Sequence, residues 1–162
     1  MAKITFPGLN DYELMISRLS KGVDDIAGKA IYAGAGIVAD AIKENIKALP
    51  IVRGYGTEKD PLPGGVTAPQ KAGLIDGMGI SPMQNDAGYL NVKIGFDGYN
   101  ATKTEKYPQG QPNQLVARGV ESGTSWKKKS PFIRPAINAS KSRAEAEMAR
   151  ILDQEIEKIT KG

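Results

Sequence analysis

Apolar residues return every three or four positions between Val23 and Pro50: Val23, Ile26, Ala30, Ile31, Ile37, Val38, Ala41, Ile42, Ile46 and Leu49. That spacing draws one stripe along a helix. Asp24 and Asp25 fall in its first turn, where the helix dipole favours anions, and Pro50 ends it. Unbroken, residues 23–48 span roughly 40 Å at ~1.5 Å per residue. Gly34 and Gly36 interrupt the stripe, each lowering helix propensity by ~1 kcal/mol against Ala. They read as a bend or as a place where another element, expected to be a sheet, approaches closely. Upstream, Lys3–Leu9 reads as a short strand or an arm. Asn10 or Asp11 then caps a separate first helix through Leu14, Ile16 and Leu19, with Gly22 as its end or a break.

Beyond Pro50 the pattern loosens. Ile51–Ala72 carries three prolines and four glycines. It reads as a surface loop or as an arm that orders on a neighbouring subunit. Leu74–Ser81 alternates weakly, as a strand would. Tyr89–Phe96 alternates clearly, with Leu90, Val92, Ile94 and Phe96 on one face and Asn91 and Lys93 on the other. Asn85-Asp86-Ala87-Gly88 supplies turn chemistry between them, which predicts a hairpin. Tyr99–Pro112 reads as a second long loop. Gln114–Glu121 reads as a brief helix aiming Leu115, Val116 and Val120 at the core.

The last stretch, Ala136–Ile159, reads as a long amphipathic helix begun or extended by Asn138 or Ser140. Met148, Ile151, Leu152, Ile156 and Ile159 form its stripe. The pairs Arg143–Glu147 and Glu147–Arg150, with Asp153, Glu157 and Lys158, lace its outer face. The expected architecture is a single α+β domain over residues 1–162. Long N-terminal and C-terminal helices pack on a small antiparallel sheet, with long loops near 51–72 and 99–112.

The residue inventory restricts chemistry more than fold. The chain has 162 residues, a net charge of +4, no histidine and no cysteine. Disulfides, Cys- or His-built zinc sites, thiol nucleophiles and the usual general base are therefore excluded. No phosphate-loop pattern or nucleophile elbow is present. Gly34-x-Gly36 lies within a helix, with no strand before it to make a dinucleotide fingerprint. Asp76, Asp86 and Asp97 stand beside or near glycines, as turn residues do. The expectation is no enzyme, no cofactor and no metal. No apolar run is long enough to span a bilayer, and the N-terminal MAKITFPGLNDYE lacks the apolar core of a signal peptide. A cytoplasmic site of synthesis is the expectation.

What stands out is Val120–Ala136, VESGTSWKKKSPFIRPA. Gly123 permits a backbone angle closed to other residues. Pro131 and Pro135 fix φ, remove donors and push the preceding residue toward extended geometry. Trp126, the only tryptophan, stands beside Lys127, Lys128 and Lys129. Arg134 lies near both prolines on a stiff backbone. It reads as an anchor for a partner's carboxylate, as an internal partner of Glu121 or of backbone carbonyls, or as both. Trp126 reads as an interface anchor rather than a core plug. The three lysines read as a solvated loop or a protein contact before they read as a phosphate contact.

Glu121-Ser122-Gly123-Thr124, followed by Pro131-Phe132-Ile133-Arg134-Pro135-Ala136 opening the last helix, resembles the head–tail joining (neck, or tail-completion) proteins of long-tailed phages. Lys71-Ala72-Gly73-Leu74 stands where that family has a Thr-Gly-x-Leu step. Ala72 replaces the hydroxyl residue, and Ser122 replaces an aromatic. The resemblance implies a virion protein made in the bacterial cytoplasm, forming a ring, expected to be a hexamer, at the head–tail joint. Its partners would be head-closure and tail terminator or tube proteins, with DNA crossing the channel without specific binding and no membrane involved. It assigns the interface to Glu121, Gly123, Thr124, Trp126, Lys127, Lys128, Lys129, Pro131, Phe132, Arg134 and Pro135. A different class stays open: a small DNA-binding or packaging-associated protein using Lys127–Lys129 and Trp126.

Overall fold

The computed structural model describes residues 9–162, with the side chains of 9–17 and 19 left aside. The expected strand or arm at Lys3–Leu9 lies almost wholly outside the described residues. The chain is α+β. Helix α1 spans Leu9–Ala48, α2 Ala68–Gly77, α3 Asn113–Ser122 and α4 Ile133–Lys161. Strands β1 (Met78–Ile80), β2 (Gln84–Asp86), β3 (Tyr89–Asn91) and β4 (Ile94–Phe96) lie between α2 and α3.

α1 does not break at Gly22, so the two expected N-terminal helices are one. The reason is α4, which runs antiparallel along it. A side chain at Gly22 would meet Ile159, and one at Gly34 would meet Met148. The close approach expected at Gly34 is therefore to α4 and not to the sheet, while Gly36 has open space around it. Lys29 Nζ donates to Glu155 across the pair at 2.8 Å. Lys158 and Lys29 together hold the Glu155 carboxyl down at about 2. Val23, assigned to the buried stripe, is 52% exposed. The pair is thinly covered at that end, and the core lies at the other.

That core joins Ile42 and Ile46 of α1, and Leu49 just after it, to Leu74, Val116, Val120, Phe132 and Ala136. Leu115, expected inside, is exposed because α3 turns Asn113, Val116, Ala117 and Val120 inward. α2 replaces the first half of the strand expected at Leu74–Ser81. Its start is a capping box: Gln70 N–H donates to the Thr67 hydroxyl, and Thr67 N–H donates to Gln70 Oε1 at 3.1 Å. Lys71 Nζ reaches back to the carbonyls of Lys47 and Leu49, capping the C-terminus of α1.

The hairpin is split. β1 pairs with β4, Ile80 opposite Ile94, and β2 pairs with β3, Gln84 opposite Asn91. Three residues, Ser81–Met83, face two, Val92 and Lys93, so the register slips by one between the ribbons. The single strand expected over Tyr89–Phe96 breaks there. Ser81 N–H donates to the Lys93 carbonyl and Lys93 N–H to the Ser81 hydroxyl, both at 2.8 Å. The turn is Ala87-Gly88, with Ala87 at φ 53° and Gly88 N–H donating to Asn85 Oδ1.

α4 begins at Ile133, three residues earlier than expected, and neither Asn138 nor Ser140 caps it. Pro135 sits in its first turn, where a missing N–H costs nothing. Of the expected surface pairs on α4, Glu147–Arg150 forms, at 2.6 Å. Among the described residues, no helix is long and apolar enough to cross a membrane.

Gly34 sets the spacing of the two long helices. Gly34→Leu is expected to lower stability by about 1–3 kcal/mol through overpacking against Met148. Adding Met148→Ala should recover part of that loss. Urea denaturation of both variants measures it.

Candidate functional site

The sharpest geometry in the molecule surrounds Glu121. α4 lacks a side-chain cap of its own, because Phe132 occupies the N-cap position. The first four N–H groups of a helix have no partner within it. Here they belong to Phe132, Ile133, Arg134 and Pro135. Glu121 Oε2 accepts from Phe132 at 2.7 Å and Ile133 at 2.8 Å, and Oε1 accepts from Arg134 at 3.0 Å. The fourth residue is a proline and has no hydrogen to satisfy. One carboxylate and one proline thus close the account for the whole helix terminus, and the positive end of the helix dipole adds to the attraction.

Burial alone would raise the pKa of Glu121. The N–H groups of Ile133, Arg134 and Phe132, with the Arg134 charge, outweigh burial and hold the carboxyl below 4.5. The internal Glu121–Arg134 bond expected from sequence therefore exists, but through the backbone of Arg134.

Gly123 lies between Glu121 and the elbow at φ 81°, and a side chain there would press on Lys129 N and the Lys127 carbonyl. Thr124 and Lys127 pair backbone to backbone around a tight turn that carries Ser125 and Trp126 at its tip. Ser130 N–H then donates to the Val120 carbonyl at 2.8 Å. Asn45 Nδ2 donates to the Phe132 carbonyl at 3.0 Å, fastening the elbow to α1.

The irregular segment Ile51–Thr67 is bonded to its own chain. Leu62 N–H donates to the Trp126 carbonyl at 2.8 Å, and Lys128 N–H returns to the Leu62 carbonyl at 3.1 Å. Gly65 N–H donates to the Ser130 hydroxyl at 2.8 Å. Gly56 passes so close to the Trp126 carbonyl that no side chain fits there. The Tyr99–Pro112 loop closes on itself similarly, through Asn100 N–H to the Gln111 carbonyl and Gln111 N–H to Thr102, both at 2.9 Å.

The residues assigned to an interface separate into two groups. Phe132 is a core residue, 1% exposed, its ring edge-on to Phe96 at 6.0 Å. It is unavailable to a partner because α4 starts early and swings it inward. Glu121 and Gly123 are occupied in shaping the elbow. Thr124, Trp126, Lys128, Lys129, Pro131, Arg134 and Pro135 face outward, with Trp126 43% exposed. Lys127 is half-buried, and burial pushes its ammonium below its usual value. The lysine run is therefore not uniformly solvated. Lys129, Pro131, Arg134, Pro135 and Asn138 rim a shallow concavity of about 430 Å³ beside Glu121.

No family model, curated protein or solved structure matches the chain. Its own geometry carries what is said of the site. Sequence reasoning missed Ser130 and Lys71 as fasteners. It also missed α2, although Thr67-x-x-Gln70 with Pro69 is a legible helix start.

Because the Glu121 carboxyl is depressed on folding, its contribution is present above the unfolded value of ~4.3. It is lost as pH falls through the folded value. Glu121→Gln is expected to cost about 1–2 kcal/mol at pH 7. The stability gap between the two proteins should narrow as pH drops below 4, measured by denaturant titration at several pH values.

Proposed function

We propose that this protein is a structural virion component. Copies form a ring at the head–tail joint of a long-tailed phage, between head-closure proteins and the tail terminator or tube, and leave a channel for DNA. One observation supports this reading above others. The two halves of the motif shared with neck proteins, Glu-x-Gly-Thr and Pro-Phe-x-Arg-Pro-Ala, form one mechanical unit here, joined by three hydrogen bonds from the first turn of α4 to Glu121. The motif shapes an elbow and performs no chemistry. Trp126 and Arg134, of residue types that anchor protein contacts, face outward on that elbow beside Lys128 and Lys129.

The mechanism is multivalent docking. Each elbow alone binds weakly, and a closed ring of head-to-tail contacts presents many copies with their geometry fixed. Sixfold symmetry follows from the proposed neighbours. A DNA-binding role draws less support, since half-burial of Lys127 leaves only two exposed lysines beside Trp126 and few phosphate contacts give little affinity at physiological salt.

Arg134 tests the reading cleanly, because its backbone N–H and not its guanidinium completes the cap. In a phage carrying this gene, Arg134→Ala should leave the purified protein folded by circular dichroism. Lysates should hold separate heads and tails by electron microscopy. Full particles at normal yield would overturn the proposal.

A further inference from the structure

A second concavity, of about 550 Å³, runs along α3 on the face carrying Leu115, Arg118 and Gly119. Tyr55 from the irregular segment and Lys127 from the elbow are among the residues that complete its walls. Its floor and rim are partly apolar: Leu115 is 45% and Tyr55 50% exposed. Gly119 keeps the floor low, since a side chain there would close on Thr124.

The charge around this groove is one-sided. Arg118 and Lys127 both line it, and no Asp or Glu does. Neither cation has an ion-pair partner among the described residues. Withdrawing an ammonium from water without a counterion is unfavourable. An arriving carboxylate relieves that cost, and the apolar floor takes a neighbouring side chain.

We propose that this groove binds a segment of a partner protein in which an Asp or Glu lies next to an apolar side chain. Some of this chain's own carboxylates are already paired, Glu147 with Arg150 and Glu157 with Lys161; a second copy is the competing occupant. The inference stands apart from the role at the head–tail joint, because it depends on α3 and Lys127 and not on Arg134.

The probe is a displayed library of random dodecapeptides selected on the intact protein. Enriched peptides should carry Asp or Glu beside Leu, Ile or Phe. Replacing those acids by Asn or Gln should weaken binding roughly tenfold or more, as loss of a charge pair does. Lys127→Met and Leu115→Asp should each abolish binding, while Arg134→Ala leaves it intact. Leu115 is exposed, so its variant folds even if Lys127→Met does not. Enrichment of peptides without acids, binding indifferent to both substitutions, no enrichment over an unrelated protein, or binding lost only through self-association would each overturn the proposal.

Discussion

A single carboxylate determines where the last helix begins. Phe132 at the N-cap position offers no acceptor, so α4 would otherwise open with three bare donors close to an apolar core. An unpaired buried donor costs about 1–3 kcal/mol. Glu121, eleven residues earlier at the end of α3, receives all three. Everything between is then a loop pinned at both ends. Its shape is fixed by Gly123 at one side, by the Ser130–Val120 backbone bond at the other, and by the Asn45 amide on the Phe132 carbonyl. Starting α4 here swings Phe132 inward against Phe96 and directs the helix back along α1.

The two long helices divide the work unevenly. Where α1 ends, it meets α2, α3 and the elbow, and its side chains reach 0–2% exposure at Ile46 and Ile42. From Gly22 to Gly34 it packs on α4 and meets the hairpin at Gly28 and Tyr32. There the contact narrows to Ile26 and Ala30, the space at Gly34 and the Lys29–Glu155 pair. Exposed ion pairs of this kind contribute little, so rigidity in that half rests on the helix–helix seam. The split hairpin leans on the same region, Tyr32 donating to the Ser81 carbonyl at 3.3 Å.

Periodicity made the long helices, the brief α3 and the α+β class legible, because three- and four-residue spacing reports a buried face directly. Punctuation misled where a tertiary neighbour overrode it. Gly22 looked like an end, yet α4 covers it. Pro135 looked like a boundary, yet a helix tolerates proline in its first turn. The strand over Tyr89–Phe96 alternated well but could not reveal the extra residue in its partner that breaks the pairing. Within the site, the residues that matter were visible, while their division of labour was not. Glu121 reads as a carboxylate near an arginine; only the fold shows it bonded to the peptide of that arginine. The family resemblance placed Phe132 at an interface, but α4 carries it into the core.

The bonding of Ile51–Thr67 to the elbow bears on how such a surface can act. A docking loop that orders only on contact spends about 1–2 kcal/mol of backbone entropy for each residue fixed. Here that ordering is already done within the monomer, by Leu62 on both sides of the Trp126 turn and by Ser130 beneath Gly65. The backbone that carries the outward side chains is tied down by these bonds. Preorganisation of this kind raises affinity without adding contacts. It also fixes the angle at which Trp126 and Arg134 are presented, and a repeated assembly needs that constancy more than it needs strength at any one contact.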